Sequence, residues 1–370
     1  MKSLYFLNLI IVILFYNCKK TTTNKNNNAL KNPTITYAKG FDIVNENGKK
    51  KLIIKKAYQK SNEVSEYIIT KTNEQNALQV PVKNIVVTST THIPMVELLN
   101  EENSIVGFPY AKYISSEKTR KLIDNGNIKE IGKEGSLNTE ILLELNPDLI
   151  VGYSVSSADN SLTTLKNSGI PVIYNSDWLE ETPLGRAEWI KFFGVFFDKE
   201  KEADSIFKSI EKSYLDAKIV AKSTKKYSTV LSGAIMNKGI WNLPAGESFV
   251  AQFLKDANVN YLWENTEGKG SLSLSFESVF NKGINADFWI APGYFTSKEQ
   301  MLDSNKLYKD FKAFKDNTIY SPSLKTGKTG GVLYYELAPT RPDLVLKDII
   351  KITKPNLLPN YNLTFFEQMN

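Results

Sequence analysis

The chain has 370 residues, 42% hydrophobic and 23% charged, enough for one large domain or two ordinary ones. Its 46 lysines and arginines against 40 acidic residues give a formal charge of +6, with one cysteine, Cys18, and one histidine, His92. That inventory excludes an internal disulfide, a cysteine-based zinc site and a multi-histidine cage for bare metal, so no resident cofactor or metal is expected.

The charge is uneven. Residues 1–31 hold five of the basic residues (Lys2, Lys19, Lys20, Lys25, Lys31) and no acid, leaving 41 basic against 40 acidic residues in the body. A near-neutral body argues against a nucleic-acid partner, which draws positive charge onto the folded part.

In chain order, Met1-Lys2 precede an apolar run from Leu4 to Tyr16. The run is too short for a membrane span and suits the apolar region of a secretory signal. It ends at Cys18, and a cysteine so placed resembles the lipobox of bacterial lipoproteins, in which the thiol is acylated after signal removal. Residues 1–18 therefore read as a lipoprotein signal with its anchor cysteine. Residues 19–34 are almost without apolar groups and read as a flexible tether. An uncleaved anchor with an incidental cysteine is the other reading.

Strand-like alternation follows at Ile35–Tyr37, Phe41–Val44 and Lys51–Ile54, with Asn47-Gly48 marking a hairpin. Beyond Pro81, short apolar strands at 85–87, 105–107, 149–152 and 170–174 alternate with helical patterns at 95–99 and 139–145. Residues 198–222 form the longest helical pattern, with Ala203, Phe207, Ile210, Tyr214 and Ala217 three or four apart. The alternation resumes with strands at 229–231, 288–290 and 318–320 and helices at 247–257 and 343–351.

A faint repeat joins the halves. Ser136-Leu137-Asn138-Thr139-Glu140, a helix and Asn146-Pro147-Asp148 match Ser273-Leu274-Ser275-Phe276-Glu277, a helix and Asn285-Ala286-Asp287. The pattern predicts an α/β fold: two β/α lobes with mostly parallel sheets, a small N-terminal β-hairpin element, and a ligand cleft between the lobes. The lobes are residues 35–197, with the hairpin extension, and 223–370, joined by the helix 198–222.

Three groups of residues carry a family resemblance: Asn84–His92, Gly135–Glu140 with Leu145–Ile150, and the segments Asp177–Trp189, Gly239–Gly246 and Arg341–Asp348. In this order they resemble the substrate-binding lipoproteins of ABC importers for ferric siderophores, haem or cobalamin, the periplasmic binding proteins with a helical link between lobes. The resemblance implies an exported, lipid-anchored protein on the periplasmic side or the cell surface, a monomer that captures a metal chelate and delivers it to an ABC permease without catalysis. It also implies that Glu140 and Glu277, one per lobe, meet permease arginines. Both also read as ordinary first-turn helix acids.

Only Arg120, Arg186 and Arg341 are arginines, so Arg186 and Arg341 are the candidate anion contacts, or else ion pairs with Glu188 and Asp343. Arg120 reads as solvated surface. Tyr110, Tyr113, Tyr153, Trp178, Trp241, Tyr294, Tyr334 and Tyr335 sit in predicted loops near strand ends and are candidate ligand contacts. Trp178, Trp189 and Trp241 are expected to report occupancy by fluorescence. His92 reads as a ligand contact or a structural histidine. A rival reading, an exported hydrolase with a Ser/His site, must use His92, and the chain carries no G-x-S-x-G elbow. A scavenging surface lipoprotein without a permease is the third reading.

Overall fold

Two mostly parallel sheets form the framework, and their central strands pass through the interior, apolar on both faces. The computed structural model describes residues 35–370 except 47, 134, 156, 226, 227 and 238. The signal, Cys18 and the tether lie outside the described residues.

In the first sheet the order is Val172–Tyr174, Leu149–Gly152, Ile85–Val87, Ile105–Phe108, Lys129–Glu130, all parallel. The chain starts at the central strand Ile85–Val87, fills one side, then crosses to Leu149–Gly152 on the other. The gap between these two strands is thus a topological switch point, where open α/β sheets place ligands. In the second sheet Asn260–Tyr261, Thr229–Ser232, Phe288–Ile290 and Ile319–Ser321 run parallel, and Glu367–Gln368 closes one edge antiparallel.

The helix Glu200–Lys222 connects the halves over 23 residues. Ala203, Phe207 and Ile210 pack into the core of the first half, and Tyr214, Ala217 and Ala221 into that of the second. One amphipathic stripe therefore serves two cores.

The N-terminal hairpin pairs Phe41–Glu46 with Lys49–Ile54 in the register Phe41 to Ile54, and Ser65–Thr70 and Ala77–Gln79 extend it to four strands. Residues 35–37, predicted as a strand, form none. The amides of Thr36, Tyr37 and Ala38 donate to the carboxylate of Glu188 at 2.6–3.0 Å, and those of Lys39 and Gly40 to Glu180 at 2.8–3.0 Å. The carboxylates supply the acceptors that a partner strand would have supplied.

The internal repeat is a structural device. Asp148, just before one central strand, accepts the amides of Lys83 and Asn84 at 2.7 and 2.9 Å and so fixes the start of Ile85–Val87. Asp287 stands in the equivalent place and accepts from the Thr229 amide and hydroxyl at 2.9 and 2.8 Å, fixing the start of Thr229–Ser232. In each half a charge-assisted pair of bonds ties the turn before a neighbouring strand, Leu149–Gly152 or Phe288–Ile290, to the start of the half's first parallel strand. Among the described residues, no helix is long and apolar enough to cross a membrane.

Candidate functional site

The carboxyl ends of strands from both sheets converge on a cavity of about 600 Å³. Thr88–Thr91 follow the central strand of the first sheet, Phe108–Tyr110 and Tyr113 its neighbour, and Tyr153 and Trp178 the two strands beyond. From the second half come Tyr294, after Phe288–Ile290, and Gly330–Val332, Tyr335 and Glu336, after Ile319–Ser321. The switch point is stitched by polar bonds: the Thr88 amide donates to the Val151 carbonyl at 3.2 Å, and the Tyr153 amide donates to the Thr88 hydroxyl at 2.7 Å.

Six of the predicted contacts, Tyr110, Tyr113, Tyr153, Trp178, Tyr294 and Tyr335, are brought together here. They line the walls as pairs: Tyr110 with Tyr113 at 5.5 Å, Tyr153 with Trp178 at 6.2 Å, and Tyr294 with Tyr335 at 6.1 Å between centroids. Burial raises the Tyr335 hydroxyl, so its ring offers a neutral phenol. Tyr110 sits in the left-handed region at φ 52°, a conformation that costs a bulky residue energy and is held by its amide bond to Gly132 O at 3.1 Å.

The other candidates lie elsewhere. Trp241 is buried in the second core, 5.2 Å from Trp289 in a stacked pair, with its indole N–H on the Ser232 carbonyl. Its strand, Ile240–Pro244, alternates, and Trp241 lies on the face turned into the core, away from the cavity. Trp189 is likewise buried, against Phe41, so Trp178 is the tryptophan that lines the cavity. Tyr334 turns into the second core against Phe365 and Phe366.

Arg341 grips Asp343 with two bonds of 2.9 Å, and Asp343 in turn accepts from Ser213 on the long helix. It is a structural pair away from the cavity. Arg186 does not line the cavity either and does not pair with Glu188. Its guanidinium lies 3.8 Å from the Phe249 ring centroid and donates to the carbonyls of Trp178 and Glu180 at 2.8 and 3.3 Å. Arg120, read as solvated, is buried. It donates to the Ala111 carbonyl and, at 3.3 Å, to that of Ile114.

His92 opens the helix His92–Leu98 and is fully buried, 5.5 Å from Phe193, with both ring nitrogens unpartnered. It is not on the cavity lining. Burial pushes its pKa down to about 3, so the ring is neutral at any ordinary pH. No serine or carboxylate is hydrogen-bonded to it, so the geometry of a Ser/His nucleophile is absent at this residue.

Sequence reasoning missed Glu336. It is 2% exposed, lines the cavity, and accepts the amides of Ser115 and Ser116 at 2.6 and 3.0 Å. Burial outweighs those bonds and pushes its pKa up to about 7. Behind the lining, burial raises Asp177 to about 6, against the pull of Arg186 and Thr91. The Thr88–Thr91 loop was visible as a polar strand end. Nothing in the local pattern marked Glu336.

Glu140 and Glu277 both occupy the first turn of a helix and are exposed. The helices start alike: Asn138 accepts from Ile141 N at 3.1 Å, and Ser275 accepts from Ser278 N at 3.2 Å. Among the described residues, no group of three or more His, Cys, Asp or Glu is placed to hold a metal ion.

A family model described as periplasmic binding protein matches residues 85–322. An uncharacterized lipoprotein of Methanocaldococcus jannaschii is 27% identical over 302 residues, covering 79% of this chain and 70% of that one. A possible iron-binding (periplasmic solute-binding) protein from Staphylococcus epidermidis superposes with a TM-score of 0.57 at 19% identity, covering 74% of this chain and 99% of the other. A periplasmic haem binding protein from Pseudomonas aeruginosa gives a TM-score of 0.57 at 16% identity, covering 78% and 98%.

Proposed function

Because the chain belongs to the periplasmic binding protein family, we propose that it is an exported, lipid-anchored solute-binding protein that captures a metal chelate and hands it to an ABC permease. The observation that carries this reading is the cavity at the strand ends of both halves, walled by aromatic pairs and threonine and serine hydroxyls, with no basic side chain among the described residues that line it. Such walls suit a large flat ligand of the siderophore, haem or cobalamin kind, whose metal arrives already coordinated. Lysines stand over the aromatic rim: Lys112 is 5.0 Å from the Tyr113 ring centroid and Lys133 is 5.8 Å from that of Tyr110. They would meet the ligand's outward acidic groups. The iron- and haem-binding names of similar structures point the same way. Cys18 would carry the lipid, and residues 19–34 the reach from the membrane.

The test is to titrate hemin, cyanocobalamin and a ferric catecholate siderophore into the chain carrying Cys18→Ala while following Trp178 fluorescence. One of them should quench it saturably, and Tyr153→Ala or Tyr335→Ala should each weaken binding about tenfold. If none of the three binds, the chelate reading is wrong. For the permease, Glu140→Lys with Glu277→Lys should abolish uptake while binding stays intact. Unchanged uptake would favour a surface scavenger.

A further inference from the structure

The aromatic cavity has a neighbour of opposite chemistry. A second cavity of about 730 Å³ lies beside the helix Glu117–Asp124, and four cations (Arg120, Lys121, Lys325, Lys328) line it against two carboxylates, Glu117 and Asp124. Lys328 is paired with Asp124 at 2.9 Å and Lys325 lies 3.3 Å from Glu367, whereas Lys121 makes no ion pair among the described residues. Arg120, 7% exposed, leaves its Nε without an acceptor.

The wall between the cavities is a single segment of the second half. Gly330, Gly331, Val332 and Glu336 line the aromatic side, and Gly327, Lys328 and Leu333 line the cationic side. The segment meets the first half backbone to backbone. A Cβ on Gly331 would lie 2.1 Å from the Tyr113 carbonyl oxygen, and one on Gly327 2.6 Å from Ser115 Cα. What holds it shut is polar: the two amide bonds to Glu336, the Lys328–Asp124 pair, and the Thr329 hydroxyl on the Lys112 carbonyl at 2.6 Å. Only the Glu336 contacts are buried, so they dominate, the exposed pair contributing little.

We infer that the second cavity is a subsite for an anionic group carried by the same ligand, and that Glu336, by holding the wall across the seam, decides whether a ligand can reach it. With the wall shut, the site takes a flat body alone. With it released, the site takes a flat body bearing a sulfonate, phosphate or carboxylate appendage. This inference rests on the aromatic cavity being the ligand site.

The probes are two dyes titrated into the chain carrying Cys18→Ala: uncharged N-phenyl-1-naphthylamine as the single dye, and bis-ANS, the covalent dimer of its sulfonated form. The single dye is a flat body alone, whereas the dimer carries two sulfonates for the cationic cavity to meet. Glu336→Ala should raise the dimer's affinity relative to the single dye's by about tenfold or more. Glu336→Gln, which keeps one carbonyl acceptor and the shape, should give a smaller gain and decides the matter if the alanine variant does not fold. Adding Lys121→Glu or Lys325→Glu should cancel the gain. The inference is overturned if the dimer's affinity is unchanged in both Glu336 variants, if both dyes gain together, or if the lysine changes leave the gain in place. Failure of hemin, cyanocobalamin and siderophore to bind would refute the chelate reading without altering the dye contrast.

Discussion

Replacing His92 by leucine should change how stability depends on pH, in a direction the burial of the ring dictates. The imidazole is fully buried with neither nitrogen bonded, and its pKa falls to about 3 from an ordinary 6.5. Below pH 6.5 the unfolded chain takes up a proton that the folded chain refuses, so this residue withdraws stability as pH falls from 6.5 towards 3. At pH 5 the withdrawal is RT ln(1 + 10^1.5), about 2 kcal/mol, against roughly 0.2 kcal/mol at pH 7. Urea unfolding of the wild type and His92→Leu at both pH values isolates it, because every other titrating group is common to the two chains. The stability of the variant relative to wild type should rise by about 2 kcal/mol between pH 7 and pH 5. An equal difference at the two pH values would mean that the ring is solvated or bonded in the folded chain.

Glu336 acts with the opposite sign. Its pKa is raised from 4.5 to about 7, so the folded chain holds the proton longer and stability falls as pH rises through that window, by ~3 kcal/mol in all. Glu336→Gln should flatten the unfolding profile between pH 4.5 and 7, and an unflattened profile would place the carboxyl in contact with solvent. Glu188 is fully buried, holds three backbone amides and the Lys191 ammonium at 2.9 Å, and Glu188→Gln should cost ~3–5 kcal/mol by urea unfolding. A cost below about 1 kcal/mol would show that residues 36–38 are held by something else. Gly331→Ala should cost ~1–3 kcal/mol, because its methyl would meet the Tyr113 carbonyl, and hydrogen exchange at the Ser115 and Ser116 amides should quicken. Unchanged exchange there would mean that the wall does not depend on this contact.

The framework was legible because it rests on local rules. The strands at 85–87, 149–152 and 288–290 are short apolar runs between turn signals, and the long helix carries an uninterrupted stripe. The aromatic cavity was legible in part, since Tyr110, Tyr153, Trp178, Tyr294 and Tyr335 all follow strands on the carboxyl side. Trp241 shows where that reasoning stops. It too stands in a segment read as a loop, but the segment is the middle strand of a three-stranded antiparallel sheet, and the ring turns inward. Glu336 was not legible because its partners, Ser115 and Ser116, are more than two hundred positions away, and a glutamate in a helix carries no mark of burial. Residues 35–37 misled for the reverse reason: Tyr37 packs on Phe207 at 5.9 Å in strand-like fashion, but the amide partners are side chains 150 positions distant.

The three arginines sharpen what scarcity in a lysine-rich chain meant. A planar fork was expected to be reserved for ligand oxygens, but each guanidinium donates instead to the chain's own oxygens, Arg120 through one nitrogen with its Nε left unpartnered. Arg120 clamps the carbonyls of Ala111 and Ile114, the loop that holds Tyr113 and directly follows Tyr110. Arg186 clamps the carbonyls of Trp178 and Glu180, the turn that presents the cavity's tryptophan. Arg341 fastens Asp343 and, through Ser213, the last helix to the long one. Two of the three therefore hold aromatic walls in place from behind, a task that needs two divergent donors in one plane and that a lysine's single ammonium performs poorly. The aromatic surface can be free of cations and still be rigid, because the cations that fix it sit outside the cavity. That separation leaves the interior to flat apolar chemistry and the rim and the second cavity to charge.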